Sequence, residues 1–175
     1  MPIHVHTHDT AGGSLASMLA AAEAGADIVD VAMDAMSGLT SQPSLGALVA
    51  ATAGAELDTG VQLDDLVGLN FYWEKTRGIY RPFESGQLSG SSDVYTHEIP
   101  GGQYTNLLFQ ANQLGLGEQW LDIKAMYAEA NLLLGDIPKV TPSSKVVGDL
   151  AQFMVSRGLT GPALLASADN LPLPD

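Results

Sequence analysis

The sequence predicts an α/β unit that passes into a mostly helical segment, and three observations predict it. Over roughly the first 35 residues, apolar positions recur first at a strand period, then at a helix period, then at a strand period again. Beyond about residue 55 the recurrence is helical almost throughout. Two parallel strands with about two attendant helices also cannot close a sheet, because parallel sheets are covered on both faces and paired at both edges. The α/β part is therefore expected to be the end of a larger fold, with a helical appendage continuing from it.

Ile3 to His8 alternates Ile and Val with His and Thr, a strand pattern, and Thr10-Ala-Gly-Gly13 supplies a loop. Ser14 is a candidate N-cap for a helix whose buried face carries Leu15, Met18, Leu19 and Ala22, and Gly25 ends it. Ala26 to Ala32 is the second strand, so the crossover between the two is right-handed. A helix is expected over 43–52, and another over about 62–82 with Leu63, Leu66, Val67, Phe71, Trp73 and Ile79 as its apolar residues. Residues 84–102 read as a Ser/Gly-rich connection ending in Glu98-Ile-Pro-Gly-Gly102. Two helices follow, striped by Tyr104, Leu107, Leu108, Ala111 and Leu114, and by Trp120, Ile123, Tyr127, Ala130 and Leu134. Ile137 to Pro142 is extended or turn-like, since each residue before a proline is pushed out of the α region. Ser143 or Ser144 can cap a last helix that buries Val146, Val147, Leu150, Phe153 and Met154. The tail from Thr160, with Pro162, Pro172 and Pro174, is expected to fray.

Composition narrows the chemistry. The 175 residues include no cysteine, which removes thiolate nucleophiles, CxxC zinc sites and disulfide switches. Seven Lys and Arg stand against 20 Asp and Glu, a formal net charge of −13. Such a surface repels phosphate backbones and anionic headgroups, so neither nucleic acid nor membrane is an expected partner. The start shows no basic and apolar leader, and the expected location is cytoplasmic, or an organelle interior if a leader has been lost.

The strongest chemical signal is His4-Val-His6-Thr-His8-Asp9. Alternate residues of a strand share a face, so the three imidazoles project together, and two of them can converge on one metal ion while a nearby carboxylate orients a ring. Spacing alone leaves open which pair binds. Asp34 lies past the second strand, on the side where α/β active sites open; its other reading is a helix-capping carboxylate. Thr141-Pro-Ser-Ser-Lys145 gathers three hydroxyls and an ammonium at a helix start, suited to a polar or anionic group and to proton transfer. The alternative is a capping turn with a solvated lysine. The chain has no phosphate loop and no dinucleotide fingerprint.

Five motifs in this order, Pro2-Ile-His-Val-His-Thr-His-Asp-Thr10, Ala26-Asp-Ile-Val-Asp-Val-Ala32, Ser37-Gly-Leu-Thr-Ser-Gln-Pro43, Glu98-Ile-Pro-Gly-Gly-Gln-Tyr-Thr-Asn106 and the run from Lys139 to Met154, resemble the carboxyltransferase region of the pyruvate carboxylase family. The resemblance extends to about residue 173, and Asp9-Thr10 after the histidines favours this family over the related oxaloacetate decarboxylase and transcarboxylase subunits. It implies the last two units of a (β/α)₈ barrel: residues 1–55 would hold its seventh and eighth strands with helices, and 56–175 a helical extension. Its metal-binding histidines fall on His6 and His8, with His4 pointing into the barrel. Its proton-passing threonine falls on Thr141, and Ser144 and Lys145 match positions near the biotin ureido ring. The implied reaction moves the carboxyl group of carboxybiotin to pyruvate, giving oxaloacetate, with a divalent metal (manganese or zinc) beside the pyruvate oxygens and biotin carried on a separate domain. Implied partners are the rest of the carboxyltransferase domain and the biotin carrier domain, in a homo-oligomeric parent enzyme. The family's other metal ligands and its pyruvate-holding arginine and glutamine would lie upstream, so Met1 is expected to be internal to a longer frame and the fragment alone inactive. The competing readings are an oxaloacetate decarboxylase-type subunit and a noncatalytic interaction module. Pro138 stands where an apolar, strand-compatible residue is expected.

Overall fold

The computed structural model describes residues 1–171, so Pro172 and Pro174 of the expected frayed tail lie outside the described residues. Its architecture is a small parallel sheet followed by helices, in two compact units, 1–91 and 92–175. Among the described residues no helix is long and apolar enough to cross a membrane.

In the first unit, β1 (His4–Val5) and β2 (Ile28–Val29) pair in parallel, with His4 opposite Ile28 and Val5 opposite Val29. The paired stretch is shorter than the two strand patterns because the flanking backbone turns to other partners. The Asp9 N–H donates to the Ser41 carbonyl and the Ala32 N–H to the Pro43 carbonyl, at 2.7 and 2.9 Å. Helix α1 (Ser14–Glu23) makes the crossover and buries Met18 completely. Ser14 is its first helical residue rather than its cap: both its N–H and its hydroxyl donate to Asp9 Oδ1, at 2.9 and 2.6 Å, so a carboxylate from the preceding loop satisfies the open helix end. Gly25, at φ +101°, supplies the left-handed turn out of α1.

Helix α2 (Leu45–Thr52) starts later than expected, because Ser44 caps it by accepting the Ala47 N–H at 3.1 Å. Helix α3 (Leu63–Tyr80) covers the expected range, but of its residues Leu66 alone is fully buried. Its apolar residues Leu63, Val67, Phe71 and Ile79 are 46–73% exposed. Polar side chains dock this helix instead. Asn70 exchanges two hydrogen bonds with Asp34, and Arg77 donates to the Ala35 carbonyl at 2.7 Å. These contacts place α3 in the first unit, so the contact boundary falls at 91/92 while the change of residue pattern falls near 55.

The second unit packs α4 (Val94–His97), α5 (Gly101–Gln113), α6 (Trp120–Leu133), α7 (Ser143–Arg157) and α8 (Gly161–Ser167) around one apolar cluster. Leu107, Ala111, Ile123, Tyr127, Ala130, Val147 and Met154 are fully buried, as their helical spacing predicts. The ends of the stripes differ: Leu114 and Leu134 lie where their helices run out, and Val146 points off the buried arc, so all three are exposed. Gly148 lets α7 lie close to its neighbours, since a Cβ there would meet Leu107 Cδ1 at 2.9 Å. Burial pushes the Tyr127 hydroxyl far above its ordinary range, keeping it a neutral donor to the Ser144 carbonyl at 3.1 Å. Residues 137–142 are irregular, as the prolines require.

Truncating Met154 to alanine should lower the unfolding free energy by about 2–5 kcal/mol, whereas Val146→Ser should cost no more than about 0.5 kcal/mol. Urea denaturation of both variants with unchanged m-values checks this.

Candidate functional site

The parallel register that sets His4 opposite Ile28 carries forward by two residues to bring His6 beside Asp30. Asp30 receives both rings: His4 Nε2 lies 2.7 Å from Oδ1 and His6 Nδ1 lies 2.6 Å from Oδ2. Hydrogen bonds from His4 and then His6 hold the Asp30 carboxyl below its ordinary range, so it is an ionised acceptor. An acceptor-only carboxylate requires that the His6 proton sit on Nδ1. The same logic fixes His8, whose Nδ1 lies 2.6 Å from the Thr40 carbonyl, a group that can only accept.

In their neutral form both rings present Nε2 as the lone-pair nitrogen, and their centroids lie 5.3 Å apart. The His6 Nε2 has the Gln42 amide at 3.5 Å, too distant for a strong hydrogen bond. An imidazole whose Nδ1–H is anchored to a carboxylate or carbonyl and whose Nε2 is left open is the arrangement of a metal-ligating histidine. His6 and His8 together offer two donors of the kind a divalent metal takes, and His4 is a second ring on Asp30. Two imidazoles are fewer than the donors a protein metal site needs, and among the described residues no group of three His, Cys, Asp or Glu could hold a metal.

Asp34 is a structural carboxylate. Its Oδ1 accepts from the Ser44 hydroxyl at 2.6 Å and from the Gly46 N–H at 2.7 Å, and its Oδ2 accepts from Asn70 at 2.8 Å. It anchors the start of α2 to α3, which matches the capping reading.

The Thr141 to Lys145 run belongs to the second unit. Thr141 is exposed in the turn before α7, and its peptide bond to Pro142 is cis. Neither Ser143 nor Ser144 caps α7 through its side chain, because the N-cap position is Pro142. The Ser143 hydroxyl instead contacts the carbonyls of Pro138 and Val140, at 2.5 and 2.6 Å, and Val140 N–H lies 3.2 Å from the same oxygen. Ser144 is buried, while Lys145 is exposed and paired with Asp149 one turn on. Upstream, the turn into α5 is held by His97, which is 3% exposed. Its Nδ1 accepts the Ile99 N–H at 3.0 Å, so its proton sits on Nε2, 3.6 Å from Asp93 Oδ1. Glu98 closes α4 at φ +59° and pairs with Lys139 at 2.7 Å.

Structure adds the Thr40 carbonyl and His97 to the residues singled out by sequence, and gives partners to Asp30 and Glu98. Asp30 was recoverable from the parallel register; the Thr40 carbonyl carries no side-chain signal.

Comparison with known proteins gives concordant results. Residues 94–175 match a family described as a conserved carboxylase domain. The chain is 61% identical to pyruvate carboxylase 1 of Caenorhabditis elegans and 57% identical to the human mitochondrial pyruvate carboxylase, in each case over 99% of this chain and 15% of the relative. The chain thus spans about 15% of the length of these relatives. It matches the carboxyl transferase domain of Rhizobium etli pyruvate carboxylase, solved with pyruvate and biocytin, at TM-score 0.96 and 51% identity, covering 100% of this chain and 30% of that one. The complete multifunctional Rhizobium etli enzyme matches at TM-score 0.95 and 51% identity, over 99% of this chain and 17% of that one.

The pH dependence of stability follows from His97. Burial lowers its pKa below the ordinary 6.5, a trend opposed by Asp93 and aided by Lys124. A base with a depressed folded pKa stabilises the fold fully above about pH 6.5, and that contribution is lost as pH falls toward the folded value, because the unfolded chain takes up the proton first. His97→Gln should therefore narrow the gap between urea midpoints measured at about pH 7.5 and about pH 5.5.

Proposed function

We propose that this chain, which is similar over its whole length to part of the carboxyltransferase domain of pyruvate carboxylase at 51% identity, serves the transfer of a carboxyl group from carboxybiotin to pyruvate, giving oxaloacetate. One observation carries the proposal: the whole chain matches, at TM-score 0.96, a domain solved with pyruvate and biocytin. In this reading β1 and β2 are the seventh and eighth strands of a (β/α)₈ barrel, residues 1–55 close that barrel, and 56–175 form its helical extension. The mouth of such a barrel lies at the C-terminal ends of its strands, where His6 and His8 follow β1.

His6 and His8 would hold a divalent metal, manganese or zinc, through their Nε2 atoms. When bound, such a metal offsets negative charge on the enolate form of pyruvate. Asp30 and the Thr40 carbonyl hold the two Nδ1 atoms and so fix the orientation of both rings. Thr141 Oγ takes one proton and gives another, which requires both partners within hydrogen-bond reach, about 3 Å. Ser144 and Lys145 form one wall for the biotin ring, the lysine held along α7 by Asp149. The remaining ligands and the pyruvate-holding residues come from the rest of the carboxyltransferase domain, and biotin arrives on its carrier domain. The parent enzyme is a homo-oligomer in the cytoplasm in this reading, without nucleic-acid or membrane partners.

Two measurements test it. The purified 175-residue chain should make no oxaloacetate from pyruvate and carboxybiotin, because half of the metal ligands are missing; placed in a full-length relative, the same segment should support carboxylation. In that assembled enzyme Asp30→Asn should weaken metal binding by about 10- to 100-fold while leaving His6 and His8 intact, as read by metal titration.

A further inference from the structure

Thr141 must hold one oxygen between two reacting partners, yet no regular backbone fixes it. Residues 137–140 form neither helix nor strand, and Thr141 and Pro142 lie in a turn. The Ser143 hydroxyl braces this stretch locally through Pro138 and Val140, but a stretch closed on itself must still be set against the rest of its unit. Ile137 does part of this by packing on the apolar cluster. Lys139 does the rest with a polar reach of 41 residues, its Nζ 2.7 Å from Glu98 Oε2.

The acceptor end stands on a rigid base. Glu98 sits in a left-handed conformation between His97, 3% exposed, and Ile99, fully buried, whose N–H donates to the His97 ring. The Lys139 side chain is 20% exposed and that of Glu98 49%. A pair this open contributes little to stability, so its value lies in where it sets residues 138–141.

We propose that the Glu98–Lys139 ion pair is a positioning strut for Thr141, tying the irregular approach to α7 to the turn before α5. The inference rests on the role given to Thr141 above. An alternative is an ordinary surface ion pair with no effect on the reaction.

The test uses a full-length Rhizobium etli pyruvate carboxylase in which this segment replaces the homologous residues. Glu98→Gln should lower kcat for oxaloacetate formation about 10- to 100-fold, the scale of a displacement of about 1 Å in a reacting group, with KM for pyruvate and the thermal midpoint essentially unchanged. Lys139→Met gives the same measurement from the other end, and serves should Glu98→Gln lose solubility. The exchanged pair, Glu98→Lys with Lys139→Glu, should recover most of kcat, which a merely structural role would not predict. Full kcat in both single variants overturns the proposal, as does a loss that the exchange fails to restore. A soluble but inactive unmodified chimera overturns the functional reading itself, and the strut falls with it.

Discussion

The parallel pairing of β1 with β2 is the constraint from which the histidine cluster follows. A parallel ladder fixes partners at one constant offset, here 24 residues, so His4 opposite Ile28 leads to His6 beside Asp30. A slip of one position would turn every side chain of the second strand to the other face and remove the carboxylate from both rings. The offset in turn depends on the length of α1 and its two ends. Asp9 satisfies the helix start and Gly25 turns the chain out of it, so the residues that set the loop geometry also set which ring nitrogens of His4 and His6 face Asp30.

In the second unit the comparable constraint is close packing. Fully buried residues of α5, α6 and α7 meet around Tyr127, and Gly148 removes the Cβ that would otherwise push α7 away from Leu107. The Tyr127 hydroxyl then reaches the Ser144 carbonyl, so the first turn of α7 is fastened to the core from beneath. The exposed Thr141 thus sits immediately beside a rigid helix start, and its own backbone is governed by polar contacts instead of by apolar burial.

Much of this was legible in the sequence, and the exceptions have physical causes. Helical spacing identified Leu107, Ala111, Ile123, Tyr127, Val147 and Met154 as core because a packed bundle reads out that period directly. The same period identified α3 as a helix but said nothing of its burial: Val67, Phe71 and Ile79 are exposed and Asn70 and Arg77 make the contacts that hold it, since period reports which face is apolar, not whether anything covers it. Capping also misled at Ser14 and Ser143. A serine beside a helix start was expected to accept the end N–H groups, but Asp9 takes that part at α1, and Ser143 turns back to the loop carbonyls. The histidine motif pointed to metal chemistry, whereas the choice of His6 and His8 over His4 came from a resemblance. Their tautomers needed coordinates, because a backbone carbonyl such as that of Thr40 leaves no mark in the sequence.

Among the described residues the parallel sheet has two strands and so two edges, and the exposed Ile3 and Ile28 lie along it. Such an edge is a template for any other strand, including one from a second copy. Opposing that is the net charge of −13, which makes copies of the segment repel one another over roughly a Debye length, about 8 Å at physiological salt. The colloidal behaviour of the segment is therefore a contest between an adhesive strand edge and an acidic surface, and added salt shifts it toward association.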